Sequence, residues 1–316
     1  MADELELLRR ANPVPVDGPH FGDGPLDHHA ERQLNRLMGQ RTSRRPRLAW
    51  GLAATAVVAA IVSALLFTGQ TTAPALAAPR PLVVRADSTS VPLKTLAERA
   101  QAVDGVPGLR RGTHVQSWSL GMSDDKPPIT LPEERVVRWN ADGSHSELVV
   151  ATDPRHPGRP VLSGDGELVD DGQVLSRQTY PPSWSDAPPQ SPPPSEPARL
   201  RAYLREATYT RTELNTGELL DAVEVLLDHW TLGDRQSAAL ARVLADAEGL
   251  RPVGQVTDRL GRRGQAYVYD RSGTRTMLIM DPATGAVLGL ETTFTRAESE
   301  YGVKAGDVMS YSAWMR

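Results

Sequence analysis

Residues 253–293 read VGQVTDRLGRRGQAYVYDRSGTRTMLIMDPATGAVLGLETT. Four runs at 253–256, 264–269, 275–280 and 287–293 are strand candidates. They are separated by Gly261-Arg262-Arg263, by Asp270-Arg271-Ser272-Gly273 and by Asp281-Pro282-Ala283-Thr284-Gly285. Gly, Asp and Pro at these offsets make tight reversals, so the segment predicts a meander of antiparallel strands. Upstream, residues 198–247 carry helical periodicity: Leu200, Leu204 and Ala207, then 219–230 ending at Trp230, then SAALARVLADA at 237–247, stopped by Gly249. A further strand is expected at 308–315.

Working outward, Leu93, Leu96, Ala97, Ala100 and Val103 suit a helix ending near Gly105. Residues 113–120 and 134–139 alternate as strands. The second runs into Asn140-Ala141-Asp142-Gly143, a hairpin turn, with its return strand at 146–151. Trp118 and Trp139 are expected on one face of that sheet. Residues 152–197 lack helical periodicity, and 181–197 (PPSWSDAPPQSPPPSEP) holds eight prolines in seventeen residues. Proline cannot donate to a ladder, which predicts a surface loop or hinge. Strands, then helices, then a meander indicate an α+β domain with an antiparallel sheet and packed helices, spanning 91–316. About 225 residues can bury roughly 70 % of their surface, enough for a core.

Before this domain, residues 48–68 (LAWGLAATAVVAAIVSALLFT) hold 21 uncharged positions. A helix of that length is about 30 Å long, the thickness of a bilayer's hydrocarbon core. Arg41, Arg44, Arg45 and Arg47 crowd its N-terminal side, Trp50 sits at the interface level, and the first charge beyond it is Arg80. The positive-inside bias then predicts a single-pass transmembrane helix with residues 1–47 in the cytoplasm and 91–316 extracytoplasmic, across the cell membrane. Alternatives are a cleaved signal peptide ending at Ala75-Leu76-Ala77, a twin-arginine signal at Ser43-Arg44-Arg45, and a buried core helix. Residues 69–90, rich in Ala, Thr and Pro, read as an extended stalk.

The tail, 1–47, is too short for a core. DELELLRR at 3–10 and HAERQLNRL at 29–37 are short helix candidates, with Leu5, Leu7, Leu8, Leu34 and Leu37 available to a partner's groove. A disordered juxtamembrane tail is the competing reading.

Composition limits the chemistry. The formal net charge is −4 and charged residues make up 23 %, so nucleic acid is not expected as a partner. With no cysteine there are no disulfides, thiolate nucleophiles or Cys-ligated metals. The histidine–cysteine zinc run of anti-sigma domains is absent: counting from His29, its cysteine positions hold Gln33 and Arg36. No H-E-x-x-H, G-x-S-x-G or P-loop pattern occurs, so no catalytic, cofactor-binding or metal-binding residue is assigned and the chain is read as non-enzymatic. A hydrolase assembled from distant residues is a third function class.

Five stretches carry a resemblance. They are Asp3-Glu4-Leu5-Glu6-Leu7-Leu8-Arg9-Arg10, Trp139-Asn140-Ala141-Asp142-Gly143, DRLGRRG at 258–264, Asp281-Pro282-Ala283-Thr284-Gly285, and Met309-Ser310-Tyr311-Ser312-Ala313. Together they resemble a family of actinobacterial single-pass membrane proteins of uncharacterised function, whose members tend to be encoded beside extracytoplasmic-function sigma factors. Most of these stretches are turn chemistry, so the resemblance speaks to topology more than to activity. It implies envelope sensing or regulation, with a sigma factor as the tail's cytoplasmic partner. The final helix and strands are also similar to a PepSY-type unit, where a D-x-x-T-G turn is usual. The alternative function is an extracytoplasmic carrier of a lipid or peptide, since a curved sheet with helices on its concave side can hold such a ligand.

Overall fold

A computed structural model describes residues 79–102, 108–123, 126–182 and 191–316. The tail, the 48–68 segment and the first part of the stalk lie outside the described residues, as do 183–190 of the proline-rich stretch. Contacts divide the chain between Ala64 and Leu65, and every described residue belongs to the second unit. No described helix is long and apolar enough to cross a membrane.

The described unit is α+β. In chain order it comprises α1 (Leu93–Gln101), β1 (Arg110–Ser123), β2 (Lys126–Trp139), β3 (His145–Ala151), β4 (Val161–Leu162), β5 (Leu168–Val169), β6 (Gln173–Tyr180), α2 (Pro197–Ala207), α3 (Thr216–His229), β7 (Trp230–Thr231), α4 (Asp234–Ala245), β8 (Arg251–Thr257), β9 (Arg263–Arg271), β10 (Thr274–Met280), β11 (Val287–Phe294) and β12 (Val308–Trp314). One large antiparallel sheet runs β6-β3-β2-β1-β12-β11-β10-β9-β8, with β7 paired to β1. β4 and β5 form a separate small ribbon. The last strand is therefore central. β12 joins the early meander to the late one, pairing Val115 with Trp314 on one side and Leu290 with Ser312 on the other.

Local chemistry sets the turns and helix ends. α3 opens on a capping box: Glu218 N donates to Asn215 Oδ1 at 3.0 Å and Asn215 N to Glu218 Oε2 at 2.9 Å. The Asp281 carboxylate accepts from the Ala283 and Thr284 amides, both at 2.8 Å. Gly285, at φ 68°, ends that turn, and a Cβ there would lie 2.7 Å from the Ala100 Cβ. The D-P-A-T-G reversal is thus also the seat of α1.

Side chains alternate across the sheet. One face carries Val115, Tyr267, Leu278, Leu290 and Trp314 against the helices, whose Leu96, Leu204, Leu226, Leu240 and Leu244 are fully buried. The other face carries Trp118, Ala266, Val268, Ile279, Tyr311 and Ala313 in a second cluster. Trp118 and Trp139 lie on opposite faces, contrary to the sequence reading. Trp118 pairs with Pro132, and Trp139 is an odd number of residues further along β2, so the pleat turns it to the helix side.

Three stretches differ from the sequence expectation. β1 and β2 each run to 14 residues. Prolines conceal the first half of β2, and they are tolerated because β3 reaches only as far as Glu133, leaving that half an edge beyond it. β6 appears within a stretch for which no strand was predicted. Its residues are mostly exposed, so no two-residue alternation marked it. Finally, residues 79–90, read as free stalk, are hydrogen-bonded to the sheet.

Candidate functional site

Residues 79–90 form a strap over the second face. Leu82 N donates to Glu291 Oε1 at 2.8 Å, Arg85 N to the Gln255 carbonyl at 2.9 Å, and Gln255 N to Ser88 Oγ at 2.8 Å. The strap closes on β8 because position 254 is glycine, at φ 124°; a Cβ there would lie 2.5 Å from Ser88 Oγ. Leu82 and Val84 pack on the second cluster.

Beneath the strap lies an ion pair between Arg259 and Glu291, whose side chains are 5 % and 1 % exposed. Arg259 Nη2 also donates to the Arg80 carbonyl at 3.0 Å, so each partner of the pair holds one strap residue. Burial pushes the Glu291 carboxyl above the ordinary carboxylate range, against the opposing pull of Arg259 and the Leu82 amide. Arg259 also lies 5.1 Å from the Tyr311 ring centroid, and Tyr311 packs on Trp118 at 5.3 Å. Burial pushes the Tyr311 hydroxyl well above its usual value. Beside the pair, Pro81, Leu82, Met277, Glu291, Thr293 and Phe294 line a half-open cavity of about 370 Å³.

A second cleft, about 200 Å³, opens on the helix face between α3 and strands β10, β11 and β12. Its floor is a cross-strand row of hydroxyls: Thr276 is in register with Thr292, and Thr292 with Ser310. Glu224, on the α3 wall, accepts from Ser312 Oγ at 3.1 Å. Arg271 and Asp221 pair at 2.8 Å at the mouth. The Arg271 guanidinium lies against Gly217, where a Cβ would come within 2.2 Å of it.

The remaining polar clusters are explained by packing. Arg135 bridges Glu147 and Asp228, both at 3.3 Å, tying β2 and β3 to the end of α3. Arg111, Trp139, His145 and Tyr180 stack in a row across four strands, with Trp139–His145 at 4.1 Å and His145–Tyr180 at 4.5 Å. Asp153, 1 % exposed, takes a two-pronged bond from Arg155 and a third from His156. Burial alone would raise its pKa, but those bonds outweigh it and hold the carboxyl below the ordinary range. A folded pKa below the unfolded one means stability present above the ordinary carboxylate pKa and lost as pH falls through the depressed value. Asp153→Asn should therefore cost about 1–3 kcal/mol at neutral pH and flatten that acid loss, read from denaturant midpoints across a pH series.

Arg41, Arg44, Arg45, Arg47 and Trp50 lie outside the described residues. Of the histidines, His229 bonds the Val225 carbonyl, His114 contacts Glu134, His156 serves Asp153 and His145 is stacked. Among the described residues, no group of three or more His, Asp or Glu side chains is placed to hold a metal. Sequence reasoning missed both polar sites. Arg259 lay inside a turn motif and Glu291 within a strand, and only the register brings each to its partner.

No family model matches the chain, and no curated protein matches it. Among solved structures, the full-length peroxisomal multifunctional enzyme type 2 from Drosophila melanogaster aligns at 12 % identity with a TM-score of 0.16. The alignment covers 96 % of this chain and 59 % of that one, so the chain spans less than two thirds of that protein's length. Similarity at that score carries no inference about fold or activity.

Proposed function

We propose that this is a non-enzymatic, single-pass membrane protein in which an extracytoplasmic α+β domain senses the envelope and the tail, 1–47, regulates a cytoplasmic partner. The carrying observation is the uncharged 48–68 run with Arg41, Arg44, Arg45 and Arg47 on one side only. The family resemblance supports a sigma factor as that partner. The strap adds a physical reason. Pro79 is already buried in the domain and the Arg80 carbonyl accepts from Arg259, so the chain from Thr68 to the strap is short, at most about 40 Å if fully stretched. A short tether ending on a clasped segment can transmit load to the sheet, which a long flexible stalk cannot.

The test is fractionation and protease protection of the full-length chain, with sigma-dependent transcription compared between wild-type and deletion strains. The expected result is a carbonate-resistant membrane protein, a tail protected in sealed cells, and altered transcription on deletion. Recovery of the intact chain in the soluble fraction overturns the anchoring, and unchanged transcription overturns the regulation.

The carrier reading has weaker support. The helix side of the sheet, where an acyl chain would lie, is filled by the buried leucines of the main core, and the cleft between α3 and β10–β12 is small and lined about equally by polar and apolar surface.

A further inference from the structure

We infer that the cleft between α3 and strands β10, β11 and β12 binds a small zwitterion of amino-acid size, its ammonium toward Glu224 and the hydroxyl row and its carboxylate toward Arg271. The inner part of the cleft is rich in acceptors. The Glu224 carboxylate, which also accepts from Ser312, stands on the wall, and the hydroxyls of Thr276, Thr292 and Ser310 form the floor, Thr276 and Thr292 sharing one hydrogen bond at 3.3 Å and each still able to accept. An ammonium brings three donors and no acceptor, which complements that set. An anion alone would meet Asp221 and Glu224. A sugar would lack an aromatic platform, since no ring lines the cleft.

The mouth supplies the opposite charge. Arg271 is held there by bare backbone at Gly217 and by Asp221, and its side chain is 36 % exposed. A ligand carboxylate can displace Asp221, which is 61 % exposed and readily rehydrated, without leaving a buried charge behind. The volume of about 200 Å³ is below the roughly 300–1,000 Å³ of pockets for drug-sized ligands, which limits the guest to a few heavy atoms. Leu220, Leu290 and Met309 would cover a short aliphatic segment between the two charged ends.

This rests on reading the domain as the sensing part of the chain. The test is isothermal titration calorimetry of the full-length chain in detergent with 4-aminobutyrate, butylamine and butyrate. Saturable heat is expected for 4-aminobutyrate, weaker binding for butylamine and none for butyrate. Glu224→Gln and Arg271→Met should each weaken 4-aminobutyrate binding by about ten- to a hundredfold. Met309→Trp, at a position 38 % exposed, should block it with an unchanged melting temperature. The site is overturned by absence of saturable heat up to about 10 mM, by binding unaffected in Met309→Trp, or by butyrate binding as well as 4-aminobutyrate. Binding with no transcriptional response in cells would keep the site and sink the sensing role instead.

Discussion

A chain truncated before Val308 is expected to lose its cooperative fold, although only its last nine residues are missing. β12 is the strand through which the two halves of the sheet meet. It pairs with β1 from Val115 to Ser119 and with β11 from Gly289 to Thr293. Without it, two strand edges open in the middle of the sheet, and Trp118 and Val115 lose their cross-strand partners. Val308, Tyr311, Ala313 and Trp314 are all buried, on both faces. Trp314 also donates to Asp228 at 3.3 Å, and its carbonyl accepts from Arg262 at 2.6 Å. Emptying one large aromatic site costs about 3–5 kcal/mol, so losing Tyr311 and Trp314 together matches the whole stability of a typical domain, about 5–15 kcal/mol. Near-UV circular dichroism and limited proteolysis of the full-length and truncated chains in detergent would check it. The prediction fails if the truncated chain keeps its near-UV signal and a cooperative melt. Tyr311→Ala is the graded version, expected to cost about 3–5 kcal/mol without changing the topology.

That central strand marks how far the sequence could be read. The meander, its turns and the three later helices were legible because turn residues and apolar spacing are local signals. Asp281-Pro282-Ala283-Thr284-Gly285 announces its own reversal, and Leu219, Val223 and Leu226 announce one face of α3. The placement of β12 between β1 and β11 was not legible, because pairing between strands nearly 200 residues apart has no local signature. The same reason hid both polar sites. Glu291 reads as one polar residue in a strand, and Glu224 as one exposed-looking position on a helix. The strap was misread from composition. Pro81, Ala86 and Ser88 resemble linker, and the glycine at 254 that lets Val84 and Ser88 approach the sheet is far away in the sequence. Sequence alternation also failed for β6, whose edge position leaves both of its faces partly wet.

Glu291→Ala should produce the largest loss from a single charged side chain. The substitution leaves Arg259, 5 % exposed, with no counter-charge and removes the acceptor of the Leu82 amide. Breaking a buried pair from one side costs about 3–5 kcal/mol, because the surviving ion has left water without a partner. For a domain of this size that lowers the melting temperature by on the order of 10 °C. Replacing both partners, as in Arg259→Met with Glu291→Leu, removes the stranded charge and should recover much of the loss, but not the Leu82 hydrogen bond. The pH dependence separates this pair from the Asp153 cluster. The Glu291 carboxyl is raised, so the folded state binds its proton more tightly than the unfolded state. Its contribution therefore favours folding as pH falls below the raised value and is lost as pH rises through it, opposite in sign to that of Asp153. Glu291→Ala should erase that trend while leaving the acid loss due to Asp153. The strap makes the effect local as well as global. Amide exchange at Leu82 and Arg85, and proteolysis within 79–90, should accelerate before the sheet opens. If the strap keeps its protection in Glu291→Ala, the ion pair is not what fastens it, and the backbone bonds of Arg85 and Gln255 hold it instead.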